Sequence, residues 1–290
     1  MSLATTPAAA AGAPCIVCGA TDARPFHPGL LRCAACGHAW ADMQLTPEQQ
    51  AELYRRDYFF GDEYLDYVKD RAIIQKNFRA RLAVLERFLD PARDRRLLEV
   101  GCAYGFFLDL VRGRMEATGI DITEDGVRYA RETLSLDAIR GDLLLHDFGD
   151  RRFDVVCLWD TIEHLPRPDL FVERLAALTE SGALLAVTTG DIGSLNARLG
   201  GRRWRLIHPP THLHYFTRAS LVRLLERHGF EAVYDHSCGF YRGADFTAYN
   251  LLVLRWKLPR LYALLKRARL IGFDFYLDLF DIRYVVARRR

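Results

Sequence analysis

The chain has 290 residues, 50% of them hydrophobic, and a net charge of only +3, which is typical of a folded, soluble protein with a sizeable core. No stretch approaches the roughly 18 uncharged apolar residues of a membrane-spanning helix. The alanine-rich residues 1–13 lack a basic region, so they predict a flexible leader and not a secretory signal. The seven cysteines, an odd number, favour a reducing compartment, and we expect a cytoplasmic protein.

The strongest spacing motif lies in residues 14–45. Two CxxC pairs, separated by fourteen residues, contain Cys15, Cys18, Cys33 and Cys36. Gly19 and Gly37 follow the two pairs and let the backbone turn toward the sulfur atoms. Four converging thiolates leave no open position for catalysis, so we predict a structural zinc ribbon. His38 could replace one thiolate, and a redox dithiol or buried free cysteines are the alternatives.

Residues 46–90 form a predicted helical cap or linker. The apolar residues that recur at helical spacing are Ile73, Phe78, Leu82, Leu85 and Phe88. The helix is expected to end near Asp90–Pro91. Upstream lies an aromatic run of Tyr54, Tyr58, Phe59, Tyr64 and Tyr67. These rings could cap an acceptor pocket, or they could pack the ribbon on the main domain.

Strand and helix patterns alternate through the remaining segment, residues 91–290. Predicted strands such as "RRLLEVG", "ATGIDI", "LDAIRGD" and "FDVVCLWD" are separated by helical patterns. This order predicts an α/β fold with a mainly parallel sheet and helices on both faces. A ligand is then expected at the carboxyl ends of the central strands.

Three acidic residues, Glu99, Asp121 and Asp142, come at the ends of the first three predicted strands. The turn after Glu99 has neither a GxGxxG motif nor a Gly-Lys-Ser/Thr motif, so a pyrophosphate is not expected there. A carboxylate about 20 residues after a glycine turn is placed to accept both ribose hydroxyls. The next carboxylate could accept an adenine amino group. The ligand is therefore expected to contain a nucleoside with an uncharged or zwitterionic chain.

These motifs resemble those of class I S-adenosylmethionine-dependent methyltransferases. Glu99, Gly101 and Gly105 match the first motif, although Ala103 stands where many members have glycine. The similarity covers residues 66–244 and the final strand, and it implies a Rossmann-like, seven-stranded sheet whose last strand is antiparallel. The cofactor contacts that it implies are Glu99, Gly101, Cys102, Gly105, Asp121, Ile122, Asp142, Leu143 and Trp159. A nicotinamide dehydrogenase, the nearest rival, would prefer GxGxxG.

Methyl transfer from a sulfonium is an in-line displacement, so the protein must chiefly align the acceptor and exclude water. A hydroxyl or an acidic carbon also needs a general base, for which histidine is suited at neutral pH. The candidates are His212 first and His164 second, with Asp160 in the "WDTIEHLPRP" segment and with His208 and His214 nearby. Each histidine could instead serve only in packing.

The segment "HPPTHLHYF" is similar to one in small-molecule methyltransferases that carry an N-terminal zinc module, including nucleotide-sugar C-methyltransferases. In that subgroup the base of a Tyr-x-Glu-His stretch would correspond to His212. Here Pro209 and Thr211 replace the tyrosine and the glutamate. O-methylation of a sugar, glycan precursor or secondary metabolite is therefore the preferred prediction, and C-methylation of a nucleotide sugar is the alternative.

A basic helical insertion is predicted at residues 244–272. It combines cationic and apolar residues, which predicts either a lid whose apolar face packs on the core or a peripheral contact with an anionic membrane or a partner. The upstream residues Arg202, Arg203, Trp204 and Arg205 could receive a phosphate or carboxylate of the acceptor.

The charge is unevenly distributed along the chain. Residues 251–290 contain ten Lys/Arg against Asp274, Asp278 and Asp281, a net charge of +7 that leaves −4 for the remainder. Methylation of ribosomal RNA by a zinc-ribbon enzyme is therefore one alternative, but the low overall charge argues against nucleic acid. A module that binds cofactor without catalysing transfer is the non-enzymatic alternative.

Overall fold

The computed structural model describes residues 14–43, 46, 49, 53 and 67–290. Tyr54, Tyr58, Phe59 and Tyr64 of the predicted aromatic run lie outside these residues, whereas Tyr67 lies within them. In the part of the chain that is described, no helix is both long enough and apolar enough to cross a bilayer.

The central sheet has seven strands in the order β10-β13-β8-β7-β4-β5-β6. Its strands, in chain order, are β4 (Arg96–Val100), β5 (Glu116–Asp121), β6 (Asp137–Arg140), β7 (Phe153–Trp159), β8 (Thr179–Gly190), β10 (Phe230–Ser237) and β13 (Ile282–Arg289). Only β13 runs antiparallel to its neighbours, which confirms the predicted Rossmann-like sheet. The central strands are nearly continuous apolar runs because both faces of the sheet are covered.

Helices cover both faces of the sheet. In chain order, the helices up to β10 are α1 (Arg71–Leu85), α2 (Phe106–Val111), α3 (Glu124–Glu132), α4 (Pro168–Ala177), α5 (Leu195–Gly200) and α6 (Arg218–Arg227). One buried cluster joins α1, α2 and α3 to the sheet and contains Leu85, Phe107 and Val127. The other joins α4 and α6 to the opposite face and contains Val172 and Leu224. The sheet is thus the middle layer of three, as its apolar strands require.

A second, smaller sheet joins the N-terminal cysteine region to the main domain. It contains β1 (Ala23–His27), β2 (Leu30–Cys33), β3 (Ala39–Ala41) and the short strand β9 (His214–Tyr215) in that order. Ala39 pairs with Tyr215, and Trp40 pairs with His214. The cysteine region is therefore continuous with the loop that precedes α6. The boundaries of the four segments stay predictions.

The predicted insertion is built from β11 (Phe240–Gly243), α7 (Ala244–Ala248), a π-helical segment (Tyr249–Arg255), α8 (Pro259–Arg267) and β12 (Asp274–Leu277). Strands β11 and β12 pair with each other and contact α1 through a hydrogen bond from Asn77 Nδ2 to the Tyr241 carbonyl and a Lys76–Asp274 ion pair. The prediction of a lid packed on the core is wrong, because α8 contains no buried residue. Anchoring through the strands leaves the helical part outside the core.

Candidate active site

A cavity opens at the carboxyl ends of β4, β5, β6 and β7, where a ligand was expected. Its walls include residues from all four strand ends: Gly101, Asp121, Asp142, Trp159, Asp160 and His164. Ile122 and Leu143, two further predicted contacts, also line it. The strand order alone brings these residues together, since parallel strands end at one edge of the sheet.

Gly101 forms the bare part of the cavity wall. Its φ of +76° is a conformation that side chains rarely adopt, and a Cβ there would lie 2.6 Å from Thr161 Cγ2. Its N–H donates to the Ile120 carbonyl at 2.8 Å, which holds the turn against β5. A glycine is required here by both the backbone and the available space.

The Asp121 carboxylate is half-buried at the cavity and held in one orientation. Its Oδ2 accepts the Ala103 N–H at 2.8 Å, while its Oδ1 accepts the N–H and the hydroxyl of Thr123 at 2.8 and 2.6 Å. Burial raises the pKa of Asp121, and these hydrogen bonds oppose the rise. The result is a carboxylate fixed beside the bare turn, able to accept further hydrogen bonds.

Asp142 lies on the neighbouring strand end. The Gly141 N–H donates to the Asp121 carbonyl at 2.9 Å, which ties the two strand ends together. Asp142 Oδ1 accepts the Leu144 N–H at 2.8 Å. Together with the apolar side chains of Ile122 and Leu143, this forms a wall suited to a flat ring with a polar edge.

Three predicted cofactor contacts lie behind the cavity wall and do not line it. Glu99 is only 2% exposed, and its pKa is raised well above the usual range by burial and then by Asp121. Cys102 packs beside Gly119, and Gly105 begins α2 against Ala130. Cys102 and Gly105 therefore support the turn by packing it against β5 and α3.

Asp160 is held at the cavity by a residue that the sequence analysis missed. Its Oδ2 accepts a hydrogen bond from Arg81 at 2.6 Å, and its Oδ1 accepts one from Thr188 Oγ1 at 2.9 Å. The Arg81 guanidinium also lies over the Trp159 ring, 5.6 Å from its centroid. Arg81 stands one position before Leu82, within the apolar pattern of α1. A charged residue in such a pattern is the sequence signal that indicates a buried charge.

The two leading candidate histidines differ in their position relative to the cavity. His164 lines the cavity, and its Nδ1 hydrogen-bonds the Thr211 carbonyl at 2.8 Å. His212 does not line it: its Nδ1 hydrogen-bonds the Leu206 carbonyl at 2.9 Å, and its ring packs edge-on against His164 with centroids 4.6 Å apart. Burial lowers the pKa of His164 to about 4, so the imidazole is neutral at pH 7.

The remaining histidines near this loop have structural partners. His208 Nδ1 hydrogen-bonds Thr211 Oγ1 at 2.6 Å. His214 contacts His38 through a 3.1 Å hydrogen bond between their ring nitrogens. His38 is fully buried by these contacts and is not one of the clustered thiolate ligands.

Glu163 lies between these histidines and the sheet. Burial, followed by the nearby Asp160, raises the pKa of its carboxyl to about 8. Ligand atoms of Glu163, His164 and His212 lie within 4.8 Å of one another, so this group could hold a metal ion. The hydrogen bonds to backbone carbonyls already orient both imidazoles.

The four predicted zinc ligands also converge. Their sulfur atoms lie within 4.8 Å of one another, with Cys15–Cys36 at 3.7 Å and Cys18–Cys33 at 3.5 Å. These are not disulfide distances, and all four cysteines are free. A tetrahedral Zn²⁺ with bonds of about 2.3 Å would place sulfurs about 3.8 Å apart. The donor set therefore fits zinc.

The predicted anion contacts near residue 204 lie away from the cavity lining. Trp204 Nε1 donates to Asp281 Oδ2 at 2.8 Å, and Arg205 donates to Asp281 Oδ1 at 2.7 Å. Both side chains are thus committed to a carboxylate within the protein. Arg202 and Arg203 are exposed.

The doubly wound sheet and the carboxylate-lined cavity at its strand ends are typical of α/β proteins that bind nucleoside-containing ligands. The family model described as "Methyltransferase domain" matches residues 71–235, more than half of the chain, so the chain belongs to this family. It contains a class I S-adenosylmethionine-dependent methyltransferase domain.

Known proteins similar to this chain carry related names. A probable S-adenosylmethionine-dependent methyltransferase of Mycolicibacterium smegmatis is 29% identical over 172 residues, 59% of this chain and 64% of that protein. A ubiquinone biosynthesis O-methyltransferase of Mesorhizobium japonicum is 24% identical over 58% of this chain and 68% of that protein. The chain thus spans less than two thirds of the length of the mycobacterial relative.

A solved methyltransferase from Archaeoglobus fulgidus shares the fold. It has a TM-score of 0.52 and 18% identity, covering 77% of this chain and 99% of that one.

The cavity also fits the cofactor of this family. Asp121 offers a half-buried carboxylate for a diol, and Gly101 brings bare backbone to the same cavity wall. The buried Trp159 Nε1 atom has no hydrogen-bond partner within the described part of the chain, and the ring lines the same cavity. A polar ligand would satisfy that donor.

Proposed function

We propose that the protein transfers a methyl group from S-adenosylmethionine to a hydroxyl of a small-molecule acceptor. The observation that carries this proposal is the convergence of Asp121, the bare turn at Gly101 and the neutral His164 on one cavity. The cofactor supplies an electrophilic methyl group. The protein binds, aligns and excludes water, and one side chain accepts a proton.

The cofactor-binding roles follow from the walls of the cavity. Asp121 accepts hydrogen bonds from the ribose hydroxyls, and Asp142 accepts one from the adenine amino group. Ile122 and Leu143 pack against the adenine ring. The amino-acid chain passes beside the backbone of Gly101 at the cavity wall.

His164 is the proposed general base. Because its Nδ1 proton is donated to the Thr211 carbonyl, Nε2 is the basic atom of the neutral ring. Burial keeps the ring uncharged at neutral pH but also weakens it as a base. It therefore needs an acceptor hydroxyl held close and shielded from water. His212 packs on this ring as a positioning residue.

An oxygen acceptor is supported by relatives named for O-methylation in ubiquinone biosynthesis, of which the rhizobial protein is one. Within that class we propose a hydroxyl on a sugar, glycan precursor or secondary metabolite. The four clustered cysteines are proposed to bind a structural Zn²⁺, which would supply fold stability and no chemistry.

The cofactor assignment is tested by calorimetric titration with S-adenosylmethionine. Asp121→Asn removes the charge that accepts the ribose hydrogen bonds, so we expect the Kd to rise by about 10- to 100-fold. Asp150→Asn, a matched change at an exposed position, should leave the Kd unchanged. An unaltered Kd in the folded Asp121 variant would contradict the ribose assignment.

The reaction is tested by transfer of a labelled methyl group to a panel of hydroxyl-bearing sugars and phenols. Label should appear as a base-stable methyl ether. Cofactor binding without transfer to any oxygen, nitrogen or carbon acceptor would instead favour a non-catalytic module.

A further inference from the structure

Residues 246–273, which we name the basic apolar segment, have an unusual composition. The segment contains no aspartate or glutamate and six cations: Arg255, Lys257, Arg260, Lys266, Arg267 and Arg269. It comprises most of α7, the π-helical segment, α8 and the turn that leads to β12. Its net charge is thus twice that of the whole protein.

The apolar residues of this segment are displayed to solvent. Trp256 is 56% exposed, Leu264 62%, Leu270 61% and Phe273 57%. Leu252 is the buried apolar residue that fixes the π-helical part. Several large apolar side chains exposed within one short segment indicate an interaction site.

Most of the cations are also unneutralised. Among the described residues, Lys266 forms an ion pair with Asp245 at 2.8 Å. The other five cations of the segment form no ion pair with a described residue, and all five lie within four positions of Trp256 or Leu270. The surface is therefore both apolar and strongly cationic.

This combination discriminates between kinds of partner. A second copy of the same surface would bring like charges together in a low-dielectric contact, which is unfavourable. A nucleic acid would use the cations but would leave most of the exposed leucines in water. The interface of an anionic bilayer accepts both, because apolar side chains enter the acyl boundary and cations meet the headgroups.

We propose that the basic apolar segment binds the surface of anionic lipid membranes. Trp256 and the exposed leucines insert at the interface, and the arginines and Lys257 contact the phosphates. The attachment is rigidly connected to the enzyme, since β11 and β12 contact α1, and Arg81 of α1 contacts Asp160 at the cavity. This inference goes beyond the proposed reaction and does not depend on it.

The test is co-sedimentation of the full chain with vesicles of phosphatidylcholine, with and without phosphatidylglycerol. We expect binding to the mixed vesicles that weakens with salt. Replacing Lys257 and Arg260 by serine should weaken binding about thirtyfold, and Trp256→Ser should weaken it about tenfold. The control replaces Arg95 and Arg223, two exposed arginines outside the segment, by serine, and should bind like the parent protein.

Several results would overturn the proposal. These are equal sedimentation with both vesicle types, no sedimentation of the folded parent protein, and equal losses in the control variant. Tighter binding to an RNA or DNA oligonucleotide than to vesicles would assign the surface to nucleic acid. Self-association abolished by Trp256→Ser, without vesicle binding, would assign it to a second copy. None of these outcomes bears on cofactor affinity, which tests the proposed function separately.

Discussion

His164 and Asp160 lie four positions apart after β7, and their partners give them different tasks. Asp160 accepts a hydrogen bond from the buried Arg81 guanidinium at 2.6 Å. Burial lowers the pKa of His164 to about 4, so its ring is neutral at pH 7, and its Nδ1 donates to the Thr211 carbonyl. Asp160 is therefore placed to act electrostatically, while the His164 imidazole accepts a proton.

Replacing His164 by glutamine is expected to reduce turnover about 10²- to 10⁴-fold, the usual range for loss of a general base. The Kd for S-adenosylmethionine should change little. His236→Gln, an exposed substitution on β10, is the control. Turnover within a few-fold of the parent protein would show that another group accepts the proton.

The acid limb of the pH profile should also differ from that of an ordinary histidine. A base whose pKa is lowered to about 4 stays unprotonated as the pH falls from 8 to about 5. We therefore expect the rate attributable to this group to fall only as the pH approaches 4. A limb centred near 6.5, the usual value for histidine, would contradict the burial argument.

At the scale of secondary-structure elements, α1 connects three parts of the molecule. Arg81 in this helix bonds Asp160, its carbonyl accepts the Tyr284 hydroxyl of β13 at 3.0 Å, and its guanidinium lies 4.9 Å from the Phe240 ring of β11. One buried side chain thus joins the cavity, the last strand and the insertion. Such a charge is costly to bury unless it is paired.

Replacing Arg81 by methionine should lower the free energy of unfolding by about 2–3 kcal/mol, because Asp160 loses its partner while remaining partly solvated. Adding Asp160→Asn should restore part of that loss in a double-mutant cycle measured by urea unfolding. Arg79→Met, on the exposed face of the same helix, is expected to cost less than about 0.5 kcal/mol. Strict additivity of the two changes would argue against a direct coupling.

On the scale of the whole molecule, the cysteine region forms part of the main fold. Cys15, Val17 and Cys33 pack in the same cluster as residues of α4, α6 and the sheet. Arg227 of α6 donates to the Ile16 and Val17 carbonyls at 3.0 and 2.6 Å. Strand β3 pairs with β9, which directly follows the loop that orients His164. The cysteine region therefore supports the loop.

Removal of zinc with a strong chelator is expected to lower the Tm by about 10 °C or more. Turnover should fall with it, because β9 loses its partner strand, whereas the Asp121 side of the cavity and the Kd for S-adenosylmethionine should be retained. Adding back Zn²⁺ should restore both properties. A protein purified with far less than one zinc per chain, yet fully stable, would contradict the metal assignment.

Local sequence patterns determined the order of strands and helices, the glycine turn at Gly101 and the spacing of the cysteine pairs. They could do so because buried parallel strands are apolar runs, and because carboxylates that end successive strands meet at one edge of the sheet. The placement of Asp121 and Asp142 on one cavity follows from that order. All these features depend only on residues that are close in sequence or on the order of the strands in the sheet.

Only the tertiary structure decided which histidine reaches the cavity, which charge Arg81 neutralises, that β9 completes the ribbon sheet, and that the insertion stays outside the core. Each depends on contacts between residues far apart in the chain, such as Arg81 with Asp160 and His38 with His214. The path of a loop and the packing of distant elements set those contacts. Spacing in the sequence does not encode them, because the same pattern of residues fits a buried and an exposed segment equally well.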